Sequence, residues 1–122
     1  MPLTLERGAL DADVINDAGR IDLQILARTL DLTVPELAAI VHSSARTVNK
    51  NPDAKSLQPA AQKLVHFMND LTSALGERRF AIYWLNTPQR ELKDETPLMW
   101  LRKGRLDDVA GYVDAFIRMQ PD

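Results

Sequence analysis

One long segment with helical periodicity, residues 57–75, constrains the fold of this chain more than any other feature. Its apolar residues recur every three or four positions, which places them on one face of an α-helix. They are Leu57, Ala61, Leu64, Val65, Met68, Leu71, Ala74 and Leu75. Gly76 follows at once, and glycine is typical of a helix C-terminus. The sequence therefore predicts a long amphipathic helix with shorter segments before and after it.

The segments before this helix carry equally local helix signals. Apolar spacing predicts a helix over residues 22–30. Thr33 with Glu36 three residues later matches a capping box, which indicates a second helix ending near residue 42. Either Ser43 or Ser44 is suited to cap a third, which must stop before Pro52. Residues 1–20 are predicted to form an arm with one short helical turn.

The segments after the long helix are also helical. We predict helices over residues 77–85 and 97–103, the second capped by Thr96 and ended by Gly104, and a closing helix that starts at Asp107 and Asp108. No segment has the alternation of a convincing strand. The fold class expected from the sequence is therefore all-α.

The second and third helices match a helix-turn-helix unit. Ala38 is the small residue that lets two helices approach, Val48 faces back from the second helix, and His42 stands at the turn, where histidine tolerates left-handed dihedrals. Arg46 has the donors to read a guanine edge and Asn49 the donor and acceptor to read an adenine edge. The candidate DNA-binding residues are Ser44, Ala45, Arg46, Asn49 and Lys50. The alternative is that Arg46 and Lys50 only solvate a surface helix.

Charge limits how strongly such a unit binds DNA. Residues 1–56 hold six basic and eight acidic residues, and the whole chain has a formal charge of -2. Neutralising phosphates supplies most non-specific affinity, and an acidic unit lacks the basic face for it. We therefore expect weak binding by a monomer, and binding to operator DNA that depends on oligomerisation or on a partner.

Other functional classes find little support in the sequence. The chain has no cysteine, and its two histidines lack partners at metal-ligand spacing. No nucleophile–base grouping or phosphate-binding loop is evident. We therefore expect no catalytic residue, no metal site, no cofactor and no enzymatic activity. No run of residues is apolar enough to span a membrane, so we expect a cytoplasmic protein.

The most specific pattern lies in the C-terminal half. Trp84-Leu85-Asn86-Thr87-Pro88 is followed by Thr96-Pro97-Leu98, then by Gly104-Arg105 and Val109. These residues resemble the toxin-binding domain of the Xre/MbcA/ParS antitoxin family. The family also places an Xre-like helix-turn-helix before a long connecting helix, so the resemblance covers roughly residues 21–117. It divides the chain into an arm (1–20), a helix-turn-helix region (21–56), a connecting or dimerisation helix (57–76) and a toxin-binding domain (77–122).

The resemblance implies a type II antitoxin that forms a homodimer, represses its own operon and neutralises a RES-domain toxin, which consumes NAD. Tryptophans are frequent binding hot spots, although both here have a second interpretation as core residues. The basic residues after Trp100 and the C-terminal tail are further candidates for contact with toxin. The toxin-binding set is Trp84, Asn86, Pro88, Trp100, Arg102, Lys103, Arg105, Arg118, Met119 and Gln120.

Two alternatives stay open at this point. The chain fits an Xre-type transcriptional regulator without a toxin partner, whose C-terminal half only dimerises. It also fits a stand-alone protein-interaction domain that binds no DNA. A RES-type toxin gene next to its own reading frame favours the antitoxin interpretation over both.

Overall fold

The computed structural model describes residues 9–119, and helices dominate this part of the chain. It contains eight α-helices and two short 3-10 helices. In chain order they are α1 (Asp11–Val14), α2 (Leu23–Thr29), α3 (Val34–Ile40), α4 (Ala45–Lys50), a 3-10 turn (Lys55–Leu57), α5 (Gln58–Leu75), α6 (Arg78–Leu85), a 3-10 turn (Arg90–Leu92), α7 (Pro97–Arg102) and α8 (Leu106–Arg118). Extended pairing within residues 9–119 is limited to two isolated bridges. The predicted all-α class is confirmed.

Helix starts follow the capping residues read from the sequence. Thr33 Oγ1 accepts a hydrogen bond from Glu36 N at 3.2 Å, and Glu36 Oε1 accepts one from Thr33 N at 2.8 Å, which completes the capping box of α3. Ser44, rather than Ser43, caps α4 by accepting from Thr47 N at 3.1 Å. Thr96 caps α7 in the same way through Met99 N. These bonds satisfy backbone donors that a helix start leaves unpaired.

Helix α5 is the longest helix and lies at the centre of the core. Its buried residues are Ala61, Leu64, Val65, Phe67, Met68, Leu71 and Thr72. Helices α6 and α8 pack against it from the C-terminal half. Ala74, predicted to lie on the apolar face, is exposed, and Leu75 is half-buried. The apolar stripe of α5 therefore runs past the packed core in its last turn.

The described part of the N-terminal segment lies against the helical body. Leu10 and Val14 are buried in the core. Leu10 N donates to Oδ1 of Asn69 on α5 at 2.8 Å, and Arg78 on α6 pairs with Asp13 at 2.6 Å. The predicted helical turn is present as α1. Because Leu10 and Val14 lie in the core, the described part of the predicted arm is integrated into the fold. The short apolar pieces of its sequence did not indicate this packing.

The two halves of the chain share one core. A single cluster of buried residues extends from Leu10 to Val113. Helix α3 packs directly on α7, and a Cβ added to Gly104, in the turn after α7, would lie 2.8 Å from Cε1 of His42. The predicted boundaries at residues 56 and 76 therefore do not separate independently packed bodies. The division of functions that they mark stays a prediction. No helix within residues 9–119 is both long and apolar enough to cross a membrane.

Candidate nucleic-acid and protein interfaces

Helices α3 and α4 form a compact pair joined by a tight turn. Ala38 and Val48 are both buried, as helix-turn-helix packing requires. His42 has a φ of 60°, which confirms the left-handed turn conformation expected for it. Ser43 N donates to the Ala38 carbonyl at 2.8 Å and closes the end of α3. That this pair inserts α4 into a DNA groove stays a prediction.

The candidate DNA-binding residues lie on one short helix and its cap. Arg46, Asn49 and Lys50 are exposed, and Ala45 is half-buried. The Ser44 hydroxyl is occupied by capping, since it accepts from Thr47 N and also donates to Thr47 Oγ1 at 2.9 Å. Within residues 9–119, neither Arg46 nor Lys50 has a carboxylate partner at ion-pair distance. Both cations are thus available to an anionic ligand.

A polar clamp holds the loop that follows α4. Asp53 accepts hydrogen bonds from Asn16 Nδ2 at 2.9 Å and from Arg20 Nη2 at 3.1 Å. Arg20 Nε also donates to the Asp53 carbonyl at 3.1 Å. The hydrogen bond from Asn16, reinforced by Arg20, lowers the pKa of the Asp53 carboxyl below its usual value of 3.8. The clamp fixes the C-terminal side of α4 to the segment before α2.

The two tryptophans occupy different environments. Trp84 is half-buried, and its ring stacks on Tyr112 with centroids 6.2 Å apart and 14° between the ring planes. Burial, followed by the hydrogen bond from Tyr112 to Glu91, raises the pKa of Tyr112. Trp100 is only 9% exposed, and the Arg105 guanidinium lies 4.1 Å from its ring centroid. Trp84 therefore presents part of its ring at the surface, whereas Trp100 is covered by its neighbours.

The basic residues after Trp100 each face a carboxylate. Lys103 Nζ is 3.0 Å from Glu95, Arg105 Nε is 2.7 Å from Asp108, and Arg102 Nη1 is 4.0 Å from Glu36 on α3. The hydrogen bond from Lys103 lowers the pKa of Glu95. All three cations are exposed, so these pairs contribute little to stability and are easily exchanged.

The remaining candidates lie in a turn and at the chain end. Asn86 Nδ2 donates to the Ile82 carbonyl at 2.9 Å, and Pro88 is exposed beyond it. Arg118 pairs with Asp114 at 3.1 Å across one helical turn. Met119 is exposed. Gln120 lies outside the described residues.

Four aromatic side chains form what we call the α6–α8 surface: Phe80, Tyr83, Trp84 and Phe116. Phe80 is 47% exposed, Tyr83 72% and Phe116 49%. Trp84 and Phe116 line one groove of about 170 Å³ between α5, α6 and α8. Phe80 stands one turn before Trp84 on α6, outside the residues that line the groove.

Sequence reasoning selected only Trp84 from the α6–α8 surface. A signal for the others was present, because α6 is apolar around most of its circumference although only Ala81 and Leu85 are buried in it. A helix whose second face is also apolar usually meets a further partner. Across residues 9–119, acidic and histidine side chains form no group suited to hold a metal ion.

Comparison with known proteins gives one informative similarity. A chain in the crystal structure of the M. tuberculosis MbcT-MbcA toxin-antitoxin complex is 25% identical, with a TM-score of 0.56, and the match covers 80% of this chain and 91% of that one. No protein-family model matches, and neither does any curated protein. The match is too extensive to be confined to one half of the chain. It supports a place for this chain among toxin–antitoxin proteins.

Proposed function

We propose that this chain is the antitoxin of a type II toxin–antitoxin system, of the Xre/MbcA/ParS type. The observation that carries the proposal is the structural match to a toxin–antitoxin complex over four-fifths of the chain. The sequence motifs of both halves point the same way. The chain itself supplies no chemistry in this proposal. It binds a RES-domain toxin that consumes NAD and prevents that toxin from acting.

The α6–α8 surface supports the protein-binding part of the proposal. Large apolar side chains that remain exposed together mark interaction sites, and aromatic residues dominate the energy of protein interfaces. Phe80, Tyr83 and Phe116 extend the surface that Trp84 begins, and Met119 is 81% exposed at the end of α8. Toxin binding buries this surface in our proposal. The turn residues Asn86 and Pro88 lie at its edge.

The chain end and the basic residues complete the proposed toxin interface. We assign toxin contact to Arg118 and Met119, which are exposed at the end of α8, and to Gln120, which follows them in the sequence. Arg102, Lys103 and Arg105 contribute at the rim, where they exchange their present carboxylates for acidic groups of the toxin. Such rim charges raise association rates more than affinity. Trp100 acts beneath them by supporting Arg105.

Operator binding is the second part of the proposal. Helix α4 enters the DNA major groove with Arg46, Asn49 and Lys50 directed at base edges and phosphates, in a homodimer whose two copies contact grooves roughly 34 Å apart. The acidic balance of residues 1–56 makes one copy a weak binder. Binding to toxin raises operator affinity by holding several copies together, an effect of effective concentration. The protein thereby represses its own operon in the cytoplasm.

The decisive experiment expresses this chain together with the product of the adjacent reading frame. We expect the neighbour alone to stop growth and deplete NAD, and co-expression to restore both. A stable complex should also co-purify. Persistent poisoning with no complex would reject the antitoxin role. Operator binding without any toxic neighbour would favour the plain Xre-type regulator. A complex with a non-toxic protein, together with no binding to DNA, would favour a stand-alone interaction domain.

A further inference from the structure

Gln24 contacts the helix that we assign to operator binding, although it lies outside the helix-turn-helix pair. Its side-chain Nε2 donates a hydrogen bond to Asn49 Oδ1 at 3.1 Å. Asn49 is exposed in the last turn of α4, and Gln24 is half-buried in the first turn of α2. The bond thus joins two helices and ends on the side chain that we assign to an adenine edge.

Two hydrogen bonds of backbone N–H groups fix Gln24 relative to α4. The Asp22 side chain accepts from Gln24 N at 2.9 Å and holds the first turn of α2. Leu23 N donates to the carbonyl of Pro52, in the loop after α4, at 2.8 Å. The start of α2 is therefore attached to the loop after α4, next to Gln24 in the sequence and three residues beyond Asn49. The side-chain bond between them connects two points whose separation the backbone already sets.

The hydrogen bond has a chemical consequence for base recognition. An asparagine reads adenine by accepting from N6–H through Oδ1 and donating to N7 through Nδ2. Oδ1 has two lone pairs, and Gln24 occupies one of them. One lone pair and both Nδ2 protons stay available to the base. With Gln24 Nε2 as the donor, a flipped Asn49 amide would set Nδ2 against that donor, so this pairing goes with the amide orientation that reads adenine.

We propose that Gln24 is a positioning residue for operator recognition, because it holds the Asn49 amide in the orientation that reads adenine. This inference rests on the operator-binding part of the proposed function. Gln24 acts through Asn49 and contacts no base itself. Orienting the amide before binding saves the entropy of fixing it in the complex, which is worth about 2- to 10-fold in affinity for one side chain.

The test compares Gln24→Ala with the wild type on DNA duplexes selected from a random pool for binding to wild-type protein. We expect Gln24→Ala to lose about 2- to 10-fold in affinity for the selected duplex and to lose discrimination at one A·T base pair only. Asn49→Ala should lose the same discrimination, and adding Gln24→Ala to it should change nothing further. Gln62→Ala, on the exposed face of α5, is the matched control and should bind like the wild type.

A second measurement examines the contact without DNA. The side-chain amide resonances of Asn49 should shift in Gln24→Ala and stay unchanged in Gln62→Ala. Equal loss of affinity for every duplex would indicate a phosphate contact or a structural role and would overturn the inference, as would unchanged discrimination. If the wild type selects no duplex, both operator binding and this inference are rejected. If the wild type selects a duplex and Gln24→Ala discriminates as the wild type does, only this inference is rejected.

Discussion

The two halves of the chain bury their apolar residues to different extents. Of the seven large apolar side chains that are exposed within residues 9–119, six follow residue 77 and only Ile15 precedes it. Around α4 the exposed residues are polar or charged. The comparison teaches that one small core supports two unlike surfaces, one suited to hydrogen bonding and the other suited to burying aromatic rings. Two surfaces of such different chemistry fit two classes of partner.

Removing one aromatic side chain should have the largest effect. Tyr83→Ala is expected to weaken toxin binding by about 2 kcal/mol or more, roughly 30-fold in Kd, because exposed aromatic residues are frequent hot spots. Calorimetry with purified toxin measures the change. Ile15→Ala, which removes the exposed apolar side chain of the other half, is the control and should bind normally. Equal losses in the two variants would contradict the division between the halves.

The contact between the halves can be probed at Gly104, which lies beside His42. Gly104→Ala is expected to reduce the free energy of unfolding by about 2 kcal/mol, mainly because alanine is strained at a φ of 81°; the new Cβ, 2.8 Å from Cε1 of the exposed His42 ring, also displaces that ring. Gly19→Ala is the control, since φ is 79° with no atom within 4 Å of the added Cβ, so it carries backbone strain alone. Urea unfolding compares the two variants.

The stability losses of these two variants should become equal once the His42 ring is removed. In a His42→Gly background, Gly104→Ala and Gly19→Ala should reduce the free energy of unfolding by the same amount. If Gly104→Ala keeps its larger cost there, the His42 contact is not the cause.

The polar surface should respond to loss of a single donor group. Arg46→Ala is expected to weaken operator binding by about 1.5 kcal/mol, near tenfold, because an arginine that reads a guanine edge contributes on this scale. Toxin neutralisation should persist, since Arg46 lies on α4 and is not among the residues that we assign to the toxin interface. Gel-shift titration and growth rescue measure the two activities. Loss of both activities to the same degree would argue against separate surfaces.

The smallest effect concerns the clamp behind α4 and its dependence on pH. The pKa of Asp53 is lowered in the folded protein, so the clamp stabilises the fold fully above about pH 3.8 and loses that contribution as the pH falls through the lower folded value. Asp53→Asn should therefore lower Tm at pH 7 and narrow the Tm difference between pH 7 and pH 3. Asp17→Asn, at an exposed position, is the control. An unchanged Tm at pH 7 would show that the clamp adds no stability.

Local chemistry let the sequence alone determine the helices and their ends. Thr33, Ser44 and Thr96 cap helices through bonds to residues three positions away, so their effect depends on no distant contact. Gly76, at a φ of 98°, stops α5 as expected. His42 adopts the left-handed turn that its position indicated. The candidate DNA-binding residues could be selected for the same reason, because the spacing of a short helix fixes which side chains turn outwards.

Only the tertiary structure decided which residues lie together and which stay exposed. Leu10 and Val14 enter the core, Trp84 stacks on Tyr112, and Gln24 reaches Asn49 across 25 positions of sequence. Phe80, Tyr83 and Phe116 are of residue types that are common in protein cores, and yet they remain at the surface. Burial depends on what packs opposite a side chain, and that partner comes from a distant part of the chain. Periodicity therefore identified an apolar face but not whether this chain or another protein covers it.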